Sequence, residues 1–257
     1  MTESSYILPG ERLDEVNFRI RLIQKPEGLT YGTDALLLAG YLHAKPTDRA
    51  IELGGGSGII SLLCLAREKF KTADCIEVQP AYADLIRRNA LLNKFEDRLF
   101  AREADIRDLA RSGEECGKYD VVFSNPPYMP PDSGMGNRTP EKNAARHECH
   151  GGIADFTEAA SRLLRYGGRF FCVFRPERLT DLLTACREAK LEPKRLTTVH
   201  PYPTAMPSLI LLEAASGGKP GMRITRPLFI YREKEGQQYT DDMNTLFEEG
   251  RFPDTLA

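Results

Sequence analysis

The chain is 257 residues long, 41% apolar and 28% charged, with a net charge of −2. It is long enough to bury a core without covalent staples, its composition is that of a soluble globular domain, and no apolar run approaches the ~20 residues that span a bilayer. So small a global charge neither demands nor excludes a nucleic-acid partner, and any such binding has to come from local basic patches.

In chain order, the first 48 residues hold a strand over 18–24 (FRIRLIQ) and a helix over 33–42 (TDALLLAGYL). Thr33 or Asp34 can cap that helix, which has apolar positions at 36, 37 and 38. From residue 49, short β-type runs alternate with helical periods, the mark of βαβ units and a mainly parallel sheet. Strands are predicted at 49–53, 73–78, 99–104, 119–124, 169–174, 196–201 and 208–214, and helices at 58–70, 80–94, 153–167 and 176–190. Pro80 and Pro176 sit in first turns, where proline is tolerated, and Gly167-Gly168 offers a stop after the 153–167 helix. Residues 226–250 read as a strand, a turn and a short helix begun at Thr240. The expected organisation is one α/β domain over 49–216, an N-terminal extension (1–48) closing over the site, and a C-terminal strand-turn-helix appendage (217–257).

Six cysteines are scattered without a C-x-x-C pair, which predicts free thiols in a cytoplasmic setting. The N-terminus has no basic region followed by an apolar one, so no export is expected. HECH (147–150) has no second ligand cluster to accompany it, and no metal is expected. Basic patches stand at Arg12/Arg19/Arg21/Lys25, Arg138/Lys142/Arg146, Arg175/Arg178, Lys194/Arg195 and Arg223/Arg226.

IELGGGSGII (51–60) puts Glu52, Gly54, Gly56 and Gly58 at alternating positions where the first strand of the sheet meets its helix. Glycine lets the backbone approach a ligand and lets the helix N-terminus point at it. Glu77 ends the second strand, where an acid commonly takes a ribose diol, and Asp105 follows the third, within reach of an adenine amino group. Ligands in open α/β sheets lie beyond the carboxyl ends of the strands, so these features share one crevice. Either acid could instead cap the helix that follows it. The spacing departs from the G-x-G-x-x-G that cradles a pyrophosphate; E-x-G-x-G-x-G resembles the first motif of S-adenosylmethionine-dependent methyltransferases. The resemblance implies a seven-stranded, doubly wound, Rossmann-like class I methyltransferase sheet with an antiparallel late strand, for which SLILLEA (208–214) after LTTVHP (196–201) is suited. It also implies that Glu52 to Gly58 contact the methionine part, Glu77 the ribose and Asp105 the adenine.

SNPPYMPP (124–131) follows the YDVVF strand with four prolines in eight positions. An exocyclic amine on an aromatic ring is a poor nucleophile, because its lone pair is spread into the ring. Two acceptors on its two hydrogens can turn that lone pair towards a methyl donor. The Asn125 side-chain oxygen and the Pro126 carbonyl are suited to this; Pro126 and Pro127 fix φ and remove competing donors, and Tyr128 can stack on a flat ring or amide. Alignment and acceptors aimed at the developing positive charge then supply the rate.

The order of glycine loop, two acids and NPPY is similar to that of the amino-group methyltransferases. YGTDALLLA (31–39), NPPYMPP, ARHE (145–148), VHPYPTAMPSLILLEAASGGKPG (199–221) and RPLFIYREKEGQQYT (226–240) together resemble the tRNA1(Val) (adenine-N6) methyltransferase family. That resemblance implies S-adenosylmethionine as cofactor and the adenosine 3′ of the anticodon in tRNA as substrate; a release-factor glutamine, rRNA or a DNA adenine stands as the alternative acceptor. It further implies that Tyr31, Gly32, Thr33 and Asp34 close over the cofactor, and that Arg146, His147 and Glu148 border the acceptor pocket. Arg12, Lys142, Lys194, Arg195 and Arg226 are candidate phosphate contacts. The oligomeric state is left open, a monomer being the simpler expectation.

Overall fold

The computed structural model describes residues 6–17, 20–26, 30–128 and 151–252. Its centre is set by alternation. In strand β6 (Tyr119–Ser124) and strand β7 (Leu164–Phe174), Val121, Phe123, Phe171 and Val173 face one apolar core, while Val122, Phe170, Cys172 and Phe174 face the other. A sheet apolar on both faces needs helices on both. Strands β3 (Arg49–Leu53), β4 (Thr72–Glu77) and β5 (Leu99–Glu103) add in parallel on one side of β6. On the other side, β7 is followed by β9 (Leu209–Ser216), antiparallel, and then β8 (Leu191–His200). The order β8-β9-β7-β6-β3-β4-β5 is the doubly wound sheet with an antiparallel late strand. Two-residue strands β10 (Arg223–Ile224) and β11 (Leu228–Phe229) cover the β8 edge.

On one face lie helices α1 (Thr33–Tyr41), α2 (Ile59–Ala66), α3 (Pro80–Leu92) and α7 (Asp241–Glu249). α2 has seven of its eight residues buried, as a helix caught between the sheet and α1 must. The other face carries α4 (Ile106–Ser112), α5 (Ile153–Leu163) and α6 (Leu179–Glu188). Several expectations need correcting, among them the strand at 196–201, since β8 already begins at Leu191. The 153–167 helix stops at Leu163, because Leu164 already pairs with Tyr119 and Gly167 (φ +77°) makes a bulge inside β7 instead of a helix stop. The 176–190 helix begins as a 3-10 turn over Pro176–Arg178, and α4, too short to register as a periodic pattern, was not expected.

The N-terminal segment forms a hairpin of β1 (Arg12–Glu15) and β2 (Arg21–Gln24). The free edge of β2 is paired by side chains. Asn89 on α3 accepts from the Ile23 amide (2.7 Å) and donates to the Ile23 carbonyl (3.1 Å), and Asn93 does the same for Arg21 (2.9 and 2.7 Å). Four helical residues rise about 6 Å and two strand residues about 6.8 Å, so an i,i+4 pair of asparagines can imitate the next strand. Fully buried Asn89 also donates to the Ser57 carbonyl (3.0 Å), tying the hairpin to the glycine loop. Asn89→Leu should therefore cost at least about 2 kcal/mol by leaving buried backbone groups unpaired, a fall of roughly 4–8 °C in melting temperature. A loss below 1 °C in calorimetry would show that these bonds do not hold the hairpin.

Candidate active site

The loop after β3 is built by hydrogen bonds across to β4. The amides of Gly54 and Gly55 both donate to the Ile76 carbonyl (2.9 and 3.0 Å), and Gly54, Gly56 and Gly58 all take positive φ. A Cβ on Gly55 would lie 2.1 Å from the Cys75 sulfur, so this close approach requires glycine. At the end of β4, Glu77 accepts from the Gly56 amide (3.0 Å) and the Gln79 amide (2.9 Å), which fixes its carboxylate at the rim. Glu52 is buried beneath the loop and accepts from the Ser61 amide (3.2 Å) and hydroxyl at the start of α2. Burial raises its carboxyl to about 7, with the Glu77 charge adding to the rise against the Ser61 and Cys75 hydrogen bonds.

Asp105 caps α4, accepting from the Arg107 amide (2.8 Å) and pairing with the Arg107 guanidinium. The capping alternative is therefore realised, yet Asp105 also lines the cavity in front of the sheet. That cavity, about 830 Å³, is bounded by the glycine loop, Glu77, Val78, Gln79, Asp105 and Ile106 on one side and by Asn125 to Tyr128 on the other. Its size is that of a small-molecule site.

Asn125 to Tyr128 leave the carboxyl end of β6, where Ser124 donates to the Leu53 carbonyl (2.7 Å) and binds the turn to β3. The Tyr128 ring meets Phe174 edge-on at 5.9 Å, and Arg178 donates to the Tyr128 carbonyl (3.2 Å). Opposite stands Asp34. Its Oδ2 accepts from Asn125 Nδ2 and from the Tyr128 hydroxyl, each at 3.1 Å, and the same hydroxyl contacts Asn125 Oδ1. Burial, with the Asp34 charge beside it, raises the Tyr128 phenol far above its usual range and keeps it protonated. Neither Thr33 nor Asp34 caps α1, whose N-cap is Gly32; the Asp34 carboxylate is turned to the Asn-Pro-Pro-Tyr segment instead.

The structure thus gathers Tyr31, Gly32, Asp34, Glu52, Gly54, Gly56, Glu77, Asp105 and Asn125–Tyr128 around one cavity. Thr33 lines a neighbouring open depression with Arg12 and Asp14, and Gly58 turns towards Ile86. Lys194 and Arg195 are on β8 and do not line the cavity. Lys194 Nζ donates to the carbonyls of Lys219 and Gly221, and Arg195 is spent on buried Glu213 (3.1 Å) and the Tyr41 ring (4.0 Å). Arg146 and His147, with ARHE, HECH and Lys142, lie outside the described residues. Sequence reading did not assign Arg175, Glu177, Arg178 and Phe156 to the cavity. The rule that ligands sit beyond carboxyl strand ends, applied to β7 as it was to β4 and β5, points to Arg175.

Between pH 4.5 and about 7 the unfolded chain has released the Glu52 proton and the folded chain retains it, so this group makes stability fall as pH rises through that window. Glu52→Gln should lack that component, on the order of 2–3 kcal/mol, when urea unfolding of the two proteins is compared at the two ends. Parallel pH profiles would exclude a neutral Glu52.

A family model described as the methyltransferase small domain matches residues 27–183. A tRNA1(Val) (adenine(37)-N6)-methyltransferase of Enterobacter sp. is 35% identical over 147 residues, which are 57% of this chain and 58% of that protein, less than two thirds of its length. A protein of the same name from Porphyromonas gingivalis is 30% identical over 189 residues, 71% of this chain and 72% of that one. The crystal structure of a predicted O-methyltransferase from Agrobacterium tumefaciens superposes with a TM-score of 0.68 at 22% identity, over 85% of this chain and 97% of the other, which shows a shared fold. Sheet order and sequence agree: the chain belongs to the methyltransferase small domain family and, within it, to the tRNA1(Val) (adenine-N6) methyltransferase family.

Proposed function

We propose that the protein transfers a methyl group from S-adenosylmethionine to the exocyclic N6 of an adenine in tRNA, the adenosine 3′ of the anticodon. One observation carries this reading: the Asn125–Tyr128 turn opens onto the same cavity as the glycine loop and Glu77, so a donor held by one would meet an acceptor held by the other. The relatives' names supply the substrate.

The residues fit that cofactor. Glu77 and Asp105 line the cavity on the glycine-loop side, and carboxylates there suit a sulfonium cation better than a pyrophosphate. Ile76, Val78 and Ile106 give an apolar wall for a flat base, and the Glu77 carboxylate, fixed at the rim by two amides, is oriented to accept from a ribose diol. When bound, the cofactor supplies an electrophilic methyl group on its sulfonium.

The chain does the aligning. Asn125 Oδ1 and the Pro126 carbonyl accept the two N–H groups of the amine and direct its lone pair into the cavity, while Tyr128 stacks on the base. As charge develops on nitrogen the two oxygens stabilise it. A loop base is already unpaired and costs little to extrude. Arg175, half exposed at the cavity mouth, is placed for the adjacent phosphates, so binding should weaken with salt. A tRNA substrate implies work in the cytoplasm. Among the described residues, no helix is long and apolar enough to cross a membrane and no cluster of three or more metal-ligating side chains occurs.

Incubation with labelled cofactor and separate pools of tRNA, rRNA, DNA and release factor tests the assignment. Label recovered as N6-methyladenosine in tRNA is expected, and label confined to release factor would replace adenine by a glutamine amide. Asn125→Ala should lower transfer by about 10²–10³-fold with cofactor affinity nearly unchanged, since its bonds form with the acceptor. Glu77→Ala should weaken cofactor binding by about 10–100-fold, the worth of charge-assisted hydrogen bonds, and calorimetry with S-adenosylhomocysteine reads that difference.

A further inference from the structure

An asparagine amide turned by half a rotation offers an NH2 where it offered an oxygen. At Asn125 that flip would present a donor to an amine that needs an acceptor. The Asn-Pro-Pro-Tyr turn fixes the backbone, while the amide's sense is set from the first turn of α1. Asp34 is 91 positions away in sequence, and its Oδ2 lies 3.1 Å from Asn125 Nδ2. A carboxylate can only accept, so it selects the NH2 edge of Asn125 for itself and turns the oxygen edge away. Asp34 is itself held, because its Oδ1 accepts from the Ala35 amide (2.9 Å) and α1 is buried along its length from Leu37 to Tyr41.

Tyr128 completes the arrangement. Its hydroxyl has one proton and touches two acceptors, Asn125 Oδ1 and Asp34 Oδ2. While the proton sits on Oδ1 it takes one of that oxygen's two lone pairs and competes with an incoming N–H for the acceptor. The Asp34 carboxylate is the stronger, charge-assisted acceptor and gives that proton a second place to go. The Asn125 oxygen is then released for the substrate without leaving the phenol unpaired.

We propose that Asp34 is a positioning residue for methyl transfer: through Asn125 and Tyr128 it determines which edge of the Asn125 amide meets the acceptor nitrogen. The inference rests on the reading that Asn125 takes that nitrogen, and it assigns Asp34 to the acceptor side of the site instead of to cofactor closure.

The test compares the parent chain with Asp34→Ala and Asp34→Asn. Their kcat on tRNA and affinity for S-adenosylhomocysteine are measured, together with the nuclear magnetic resonance signals of the Asn125 side-chain NH2, identified by their loss in Asn125→Ala. Asp34→Ala should lower kcat by about 10–100-fold, the cost of a misdirected group at a reacting atom, with affinity changed by no more than about threefold. Asp34→Asn retains an oxygen for the NH2 but loses the charge, and should fall between alanine and the parent; it also serves if the alanine variant does not fold. In both variants the Asn125 NH2 protons should exchange faster with water and shift from their parent positions. The proposal is overturned if kcat is unchanged, if affinity falls in step with kcat, or if the NH2 signals do not move. A parent protein that methylates no tRNA would defeat the functional reading alone, since the NH2 signals still decide what Asp34 holds.

Discussion

The site depends on two amides that share one carbonyl. Gly54 and Gly55 both donate to Ile76, which draws the loop after β3 sideways onto the end of β4 and brings Gly56 against Glu77. The sheet alone would leave β3 and β4 to diverge into independent turns. With this clasp, a strand end, a helix start and a carboxylate become one rigid wall, and Cys75 packed under Gly55 leaves no room for a side chain that would push them apart. Glu52 beneath the loop serves the same end by holding the start of α2 through Ser61.

The opposite wall is made differently. Asn125 to Tyr128 cannot continue a sheet, since two prolines lack amide donors, and the segment is fixed instead at its margins by Ser124 on Leu53, Arg178 on the Tyr128 carbonyl, and Asp34. One wall is positioned by backbone bonds between neighbouring strands. The other is positioned by side chains from β6, α1 and the turn after β7. A reaction that joins a donor on one wall to an acceptor on the other needs both to be stiff, because small misplacements at the reacting atoms cost large factors in rate.

The parts of this molecule that were legible in the sequence are the parts set by local periodicity. Residues 49–53 and 119–124 read as strands, and the structure has β3 and β6 over those same residues, because a buried parallel strand leaves an unbroken apolar run. The glycine loop, Glu77 and the Asn-Pro-Pro-Tyr turn were visible for the same reason: each is a short segment whose chemistry is contained within it. The hydrogen bonds of Asp34 to Asn125 and Tyr128 were not, since those partners lie 91 and 94 positions downstream and its local surroundings suggest a helix cap. Arg195 read as an exposed basic residue although Glu213 and Tyr41 enclose it, a pairing that needs the β8–β9 register and α1 to be known first. The bulge at Gly167 hid in a sequence that also suits a helix stop.

Asn89 shows how the N-terminal segment enters this scheme. Its side chain satisfies both backbone groups of Ile23 and the carbonyl of Ser57, so the β1–β2 hairpin is fastened to the loop that borders the cavity. Gln24, at the end of β2, then accepts from the Tyr31 amide (3.1 Å), which sets where the chain enters α1. The position of Asp34 is therefore inherited, step by step, from the glycine loop: loop to Asn89, Asn89 to β2, β2 to Tyr31, and Tyr31 into the turn that carries the carboxylate. Whatever fixes the glycine-loop wall also fixes the residue that accepts from the Asn125 amide, and the two walls are registered through this chain of hydrogen bonds as well as through the sheet between them.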